Sequence, residues 1–230
     1  MKFKTELHCH SANVSACASI SDEEMISCYE KKGYNTIVLT NHYSVYTFER
    51  LHGASWEEKN DFFINGYKSL LKEAGGRINI LLGMEYRNIY TANDYLVYGM
   101  TEEFIRQYSR DDEHNLLNMH LKEFVSLAHE NNMLVFQAHP VRDGMTVVNP
   151  SKTDGIEILN GHADHDSRND IASAWAKKYN LLTCGGSDCH YVGGEARVAL
   201  ITDEEITNSE RLVEILKTNV RDKLERTDNR

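Results

Sequence analysis

Thr36-Ile37-Val38-Leu39-Thr40-Asn41-His42 holds three consecutive apolar residues between threonines, the composition of a short strand covered on both faces, and it delivers a histidine at its carboxyl end. Upstream, Ser21 and Glu24 are spaced as a capping box that opens a helix stopping near Gly33, and the alternating run from Phe3 to His10 reads as a first strand. Downstream, an amphipathic helix from about Trp56 to Ala74 ends at Gly75-Gly76, and a strand from Ile78 to Leu82 arrives at Glu85. Further strands are expected over 95–98, 134–136 reaching His139, 155–159, 181–184 and 197–202. Further helices are expected over about 118–130, 167–179 and 210–219. About seven strands alternate with helices, and polar clusters follow the strands rather than precede them. This is the pattern of an α/β fold built as a closed or distorted β/α barrel with its site at the carboxyl ends of the strands. One domain over residues 1–230 is expected, with the irregular stretch from Tyr43 to Gly53 as a loop over the site.

The 230 residues are 41% hydrophobic and 26% charged, which suits a domain with a sizeable core. A formal net charge of −10 and the lack of a long basic run argue against a track for long nucleic acid. A small phosphorylated substrate stays compatible with that field, because a metal pocket supplies its own positive charge. The five cysteines are odd in number and fall in no pairing framework, so free thiols in a reducing compartment are expected. The first residues lack the apolar core of a signal peptide, and no run of about 18 apolar residues occurs. A cytoplasmic location without membrane association is therefore expected. Composition says nothing about oligomeric state.

The chemistry concentrates in a few short segments. In His8-Cys9-His10 the two-residue period of an extended chain turns both imidazoles to one face and Cys9 to the other, a spacing suited to two ligands on one ion. Gly83-Met84-Glu85 places a carboxylate after a very apolar strand, where an unpaired charge would be costly unless a cation met it. In Gly185-Gly186-Ser187-Asp188-Cys189-His190 the glycines allow close backbone approach, and Asp188 and His190 repeat the two-residue spacing. Each segment alone also fits a plain surface or turn role. Neutral imidazoles and carboxylates converging from separate strand ends argue for a divalent metal cluster.

Taken in order, the HxH pair, Asn41-His42, Gly-x-Glu, His139-Pro140 and Ser-Asp-x-His resemble the polymerase-and-histidinol-phosphatase (PHP) family of metallophosphoesterases, over roughly residues 6–200. The resemblance implies a distorted (β/α)7 barrel, two to three divalent ions (Mn, Fe or Zn), and hydrolysis by a metal-bound hydroxide. It also implies His8, His10, Glu85 and Asp188 on a first ion, Glu85 bridging to a second held by His139, and His42 and His190 on a third. Two positions depart from the family pattern: Asn41 stands where an Asp is frequent, and Ser15 where an Asp or His is frequent. The third ion is accordingly expected to bind more weakly than the others. A further ligand of the second ion is expected near residues 93–95, with Asp94 the choice. Asp188, His190 and the anion-binding Arg142 are the expected catalytic residues; Arg87 and Arg197 follow other site segments. His162 and His165 lie past a strand end, whereas His129 falls within a helix and is expected to be uninvolved.

The function expected from these readings is metal-dependent hydrolysis of a small phosphomonoester, in the class of a nucleotide, sugar phosphate or histidinol phosphate. A phosphodiesterase or exonuclease acting on short oligonucleotides is the alternative. Amidohydrolases also begin with HxH on a barrel strand, but that group commonly bridges its metals through a modified lysine, whereas this chain offers Glu85 and an Asp-x-His. A non-catalytic metal-binding module is the remaining reading.

Overall fold

The structure, a computed structural model, describes residues 2–228. Its strands are β1 (Phe3–Glu6), β2 (Thr36–Leu39), β3 (His42–Tyr43), β4 (Asn79–Leu82), β5 (Met84–Tyr86), β6 (Tyr95–Tyr98), β7 (Leu134–Gln137), β8 (Gly155–Asn160), β9 (Leu182–Gly186), β10 (Val198–Thr202) and β11 (Leu224–Arg226). The helices are α1 (Asp22–Lys31), α2 (Val45–Phe48), α3 (Trp56–Ala74), α4 (Glu102–Tyr108), α5 (Leu121–Glu130), α6 (Asn169–Tyr179) and α7 (Ser209–Leu216). Strand pairing gives one sheet in the order β11-β10-β1-β2-β4 and another in the order β3-β5-β6-β7-β8-β9. The two sheets are one wall. The chain runs from β2 into β3 across Thr40 and Asn41, and from β4 into β5 across Gly83, so two strands bend from one sheet into the other. On the opposite side the segments following β1 and β9 meet in a parallel bridge between Cys9 and Cys189. There the Asp188 N–H donates to the His8 carbonyl (2.7 Å) and the His10 N–H to the Cys189 carbonyl (2.9 Å). The result is the distorted seven-stranded β/α barrel expected, with β10 and β11 extending its wall outward.

The main distortion is β6, which runs antiparallel to both β5 and β7. Its amino-terminal end therefore lies beside the carboxyl ends of its neighbours, and Asp94, which precedes the strand, stands at the mouth. Inward-facing Leu7, Val38, Leu81, Leu96 and Phe136 form the barrel interior together with Leu212 and Leu216 of α7. Val213 of α7 lies close to Gly99, at the end of β6 away from Asp94, so α7 covers the floor and leaves the other end open.

Local signals hold where a side chain closes a cap. Ser21 and Glu24 form the anticipated capping box of α1, and Ser55 and Glu58 form another on α3. Elsewhere the boundaries move. The first strand stops at Glu6, because residues 7–10 leave the β10 ladder to join the seam. The stretch from Tyr43 to Gly53 is not an irregular loop: α2, capped by Ser44, continues into a 3-10 turn over Glu49–Leu51. The helix expected from residue 118 begins at Leu121 after a 3-10 turn over Leu116–Asn118. That expected from 167 begins at Asn169, since Arg168 adopts a left-handed conformation (φ 47°). The strand expected to end at Cys184 continues through Gly185 and Gly186. Among the described residues, no helix is long and apolar enough to cross a membrane, and all five cysteines are free.

Gly186 is fixed by close approach. A Cβ there would lie 2.4 Å from the His8 backbone nitrogen and 2.4 Å from its Cβ, too near for either to yield without opening the seam. Gly186→Ala should lower unfolding stability by about 1–3 kcal/mol, the usual cost of overpacking. A urea melt with an unchanged midpoint would contradict this account of the barrel closure.

Candidate metal centre

Glu85 is the middle of the site. Its carboxylate is fully buried, and four imidazoles from three strand ends surround it. His139 Nε2 lies 3.0 Å and His8 Nε2 3.5 Å from Oε1, while His42 Nδ1 lies 2.7 Å and His10 Nε2 3.3 Å from Oε2. Asp188 Oδ1 stands 3.3 Å from His8 Nε2 and 3.4 Å from His10 Nε2. The register explains the convergence: His42 is paired with Glu85 across β3 and β5, and the Cys9–Cys189 bridge aligns the HxH and Asp-x-His segments. As the two-residue spacing requires, Cys9 turns the other way, into the core with Ile37 and Leu39. His139 and Asp188 both have positive φ, 26° and 50°, backbone conformations that cost energy and recur at functional sites.

Several of these atoms are buried without a hydrogen-bond partner: His8 Nε2, His10 Nε2, Glu85 Oε2, His139 Nδ1 and His165 Nε2. Unpaired buried polar atoms are rare because each costs about 1–3 kcal/mol. The described residues offer four groups of ligand atoms, each mutually within 4.8 Å: His8-His10-Asp188, His8-Glu85-His139, His42-Glu85-Asp94 and His10-His42-His190. Nitrogen and carboxylate donors at this density fit divalent ions of the Mn, Fe and Zn kind.

Residues that the motifs do not mark hold the ligand candidates in place. Glu157, buried on β8, accepts from His8 Nδ1 (2.9 Å), which directs the other ring nitrogen inward. Its second oxygen accepts the His139 N–H (2.8 Å) and an Asn160 amide N–H (3.0 Å), and that amide also reaches Asp188 Oδ2 (3.1 Å). Glu6, at the end of β1, accepts the N–H groups of Leu7, His8 and Ser187 and the hydroxyls of Tyr29 and Ser187. Burial pushes its carboxyl up despite those bonds. The two departures from the family pattern are structural here. Ser15 Oγ lies 3.3 Å from His10 Nδ1, donates to Asn41 Oδ1 and accepts the His42 N–H, while Asn41 also accepts the Ser11 N–H. Together they tie the HxH segment to the end of β2. A buried acid after an apolar strand was a legible signal for Glu85; Glu157 lies inside a strand with no motif, so only packing identifies it.

Arg142, Arg87, Asp94, His165 and His190 line a mouth cavity of about 420 Å³ above this cluster. Asp94 reaches the site, 3.9 Å from His139 Nε2, but Arg87 holds it through two hydrogen bonds of 2.6 and 2.5 Å. Arg142 is looser, 3.7 Å from Asp94 Oδ2. Arg197 is buried, donating to the carbonyls of Gly193 and Gly161. His165 belongs to the site, with Nε2 3.5 Å from Asp188 Oδ2 and its ring stacked on His162. His129 is remote, paired with Asp154. Cys17, which no motif flagged, lines the cavity beside His42 and His190. Burial pushes its thiol up, but the neighbouring imidazoles of His190 and His42 outweigh this and bring it to about 6.

The same contacts set the histidines. Burial disfavours charge on His8, yet Asp188, Glu157 and Glu85 raise it well above the ordinary value; Glu85 does the same for His42 against the same opposition. Burial together with His190 and His42 drives His10 well below it. Burial would raise Glu85 and Asp188, but the surrounding imidazoles hold both well below the usual carboxylate range.

Residues 166–220, which run from α6 through Asp188 and His190 into the last turns of the fold, match the model of the PHP-associated family. A two-domain protein from Bacteroides vulgatus containing a predicted PHP-like metal-dependent phosphoesterase superposes over 96% of this chain, with a TM-score of 0.63 and 18% identity. This chain has the PHP fold. The resemblance read from the ordered motifs is thereby borne out. PsfC from Pseudomonas syringae shares the PHP fold over 96% of this chain and 98% of its own length (TM-score 0.64, 14% identity). A lesion-specific endonuclease from Pyrococcus furiosus shares it over 95% of this chain (TM-score 0.61, 17% identity). The chain spans 64% of the length of the Bacteroides protein and 56% of that of the endonuclease. No curated protein matches the sequence.

Because His8 and His42 are raised, their contribution to the stability of the metal-free protein is complete below about pH 6.5 and is lost as the pH rises through their folded values. Glu85 and Asp188 are depressed, so their contribution is present above about pH 4 and is lost in acid. Metal coordination requires neutral rings, so titrating Zn²⁺ into chelator-stripped protein near neutrality should release protons and raise the melting temperature, with uptake weakening as the pH falls. Calorimetry in two buffers of different ionisation enthalpy checks this; binding without proton release would contradict the assignment of charge within the cluster.

Proposed function

We propose that this chain is a metal-dependent phosphoesterase that hydrolyses a small phosphomonoester. The observation that carries the reading is the convergence of buried, unpartnered imidazole nitrogens and a carboxylate oxygen beneath a cavity bordered by two arginines. In this reading His8, His10, Asp188 and Glu85 hold a first ion, and Glu85, His139 and Asp94 a second, with His42 and His190 facing a third position. Divalent ions there would activate the attacking water and offset charge on the phosphoryl oxygens. Arg142 is the anion contact, because Arg87 is already engaged by Asp94 and orients it. A guanidinium grips two phosphoryl oxygens at once. His190 lines the cavity, and while it holds no ion its outer ring nitrogen can pass a proton to the departing alkoxide. The acidic surface and the modest cavity favour a compact substrate over long nucleic acid.

Phosphodiester cleavage is the second reading, supported by the fold shared with the Pyrococcus endonuclease. Parallel assays on p-nitrophenyl phosphate and its bis ester distinguish the two. Faster metal-dependent turnover of the monoester is expected, and preference for the diester would reverse the assignment. Asp188→Ala and His10→Ala should each reduce turnover on the order of 100-fold or more by removing a ligand of the ion that activates water. His129→Ala should leave it nearly unchanged. If all three variants fold and His129→Ala is equally damaging, the proposed ligand set is wrong.

A further inference from the structure

The outer trio of His10, His42 and His190 brings three imidazoles together without an acidic residue of its own. The rings of His42 and His190 stack on His10 at centroid distances of 4.3 Å each, and ligand nitrogens of all three lie within 4.8 Å of one another. His10 Nε2 is fully buried and has no hydrogen-bond partner. The carboxylates nearest the trio, Glu85 and Asp188, are shared with the inner groups. The position from which the PHP resemblance would supply a further ligand is Ser15, and its hydroxyl is fully buried in bonds to Asn41 and the His42 backbone.

Two residues beyond, the chain provides a different donor. The Ala18 N–H donates to the Ser15 carbonyl in a turn (2.9 Å), and the Ser19 N–H donates to the His190 carbonyl (2.6 Å), pinning this segment to the Asp-x-His strand end. Cys17 sits at the turn and lines the cavity with His42 and His190. Arg50 caps the Val14 carbonyl on the same segment, so the thiol is presented by anchored backbone.

We propose that Cys17 is a metal ligand, completing an outer divalent-ion site with His42 and His190, and that its thiolate replaces the missing acidic ligand. This rests on the metal-dependent reading above. Coordination releases the thiol proton to solvent and places one negative charge on an ion otherwise met by neutral nitrogens. Two imidazoles and a thiolate are a soft set, which selects Zn²⁺, Fe²⁺ or Co²⁺ over Mn²⁺ or Mg²⁺ at this position. The inner positions, rich in carboxylate, carry no such preference.

Cobalt tests this directly, since a Co²⁺–thiolate bond gives a near-ultraviolet charge-transfer band that nitrogen and oxygen ligands do not. Chelator-stripped protein titrated with Co²⁺ should develop that band as its last ion binds. Cys17→Ser should lose the band and bind one ion at least about 10–100-fold more weakly, the loss that removing even an outer partner of a metal ligand brings. Cys28→Ser, altered at the only other cysteine outside the core, should keep both. Normal cobalt loading without the band, or a band that survives in Cys17→Ser, would overturn the role of Cys17 and leave the phosphoesterase reading standing. A protein that takes up no Co²⁺ at all would overturn both.

Discussion

A carboxylate with no access to water, Glu85, sets the terms for the rest of the molecule. Left alone it would be held only at a cost of several kcal/mol, and the fold answers by bringing four imidazoles from three separate strand ends within 3.5 Å of its two oxygens. Those imidazoles are themselves desolvated, so each in turn needs a partner. Glu157 serves His8, Ser15 lies against His10, and Asp188 faces both. Charge buried in this way is a poor means of gaining stability and a good means of holding cations.

The arrangement persists only if the barrel closes, and closure rests on a second buried acid. Glu6 gathers backbone and side-chain donors from both sides of the seam, tying Leu7 and His8 to Ser187. Gly186 lets those two segments approach closely enough for the Cys9–Cys189 bridge to form. The HxH and Asp-x-His motifs are thus two halves of one joint, which accounts for their matching spacing. The reversal of β6 adds the final element by turning the start of a strand, rather than its end, toward the mouth.

Across the mouth the donors change character. The deepest positions combine imidazole with carboxylate and the outermost gathers imidazoles alone, with the Cys17 thiol lining the cavity beside His42 and His190. A graded set of donors can hold ions of different softness within one cluster. Arg87 and Arg142 border the same opening, so its rim is cationic above the buried acids and imidazoles.

Much of this was legible in the chain. Apolar strands ending in His, Glu or Asp pointed to a β/α barrel and to His8, His10, His42, Glu85, His139, Asp188 and His190, because strand periodicity and the cost of burying charge act locally. Ser21, with Glu24 three residues on, declared its helix for the same reason. What remained hidden depended on through-space neighbours. Glu157 looks like any polar residue in a strand until β8 packs beside β7 and aims it at His8. Asp94 was expected at the site only through the family resemblance, and the physical reason it stands there is the direction of β6; Arg197, close to a motif in sequence, is turned inward onto carbonyl groups. Residues 43–53 lacked periodicity yet fold into a short helix because Ser44 caps it against the barrel. Cys17 carries no spacing signal at all, and the one hint for His165 is its place past a strand end. Local sequence determined which side chains stand at strand ends, since that follows from the backbone period; which of them meet was decided by strand order, strand direction and the closing seam, long-range pairings that no short segment encodes.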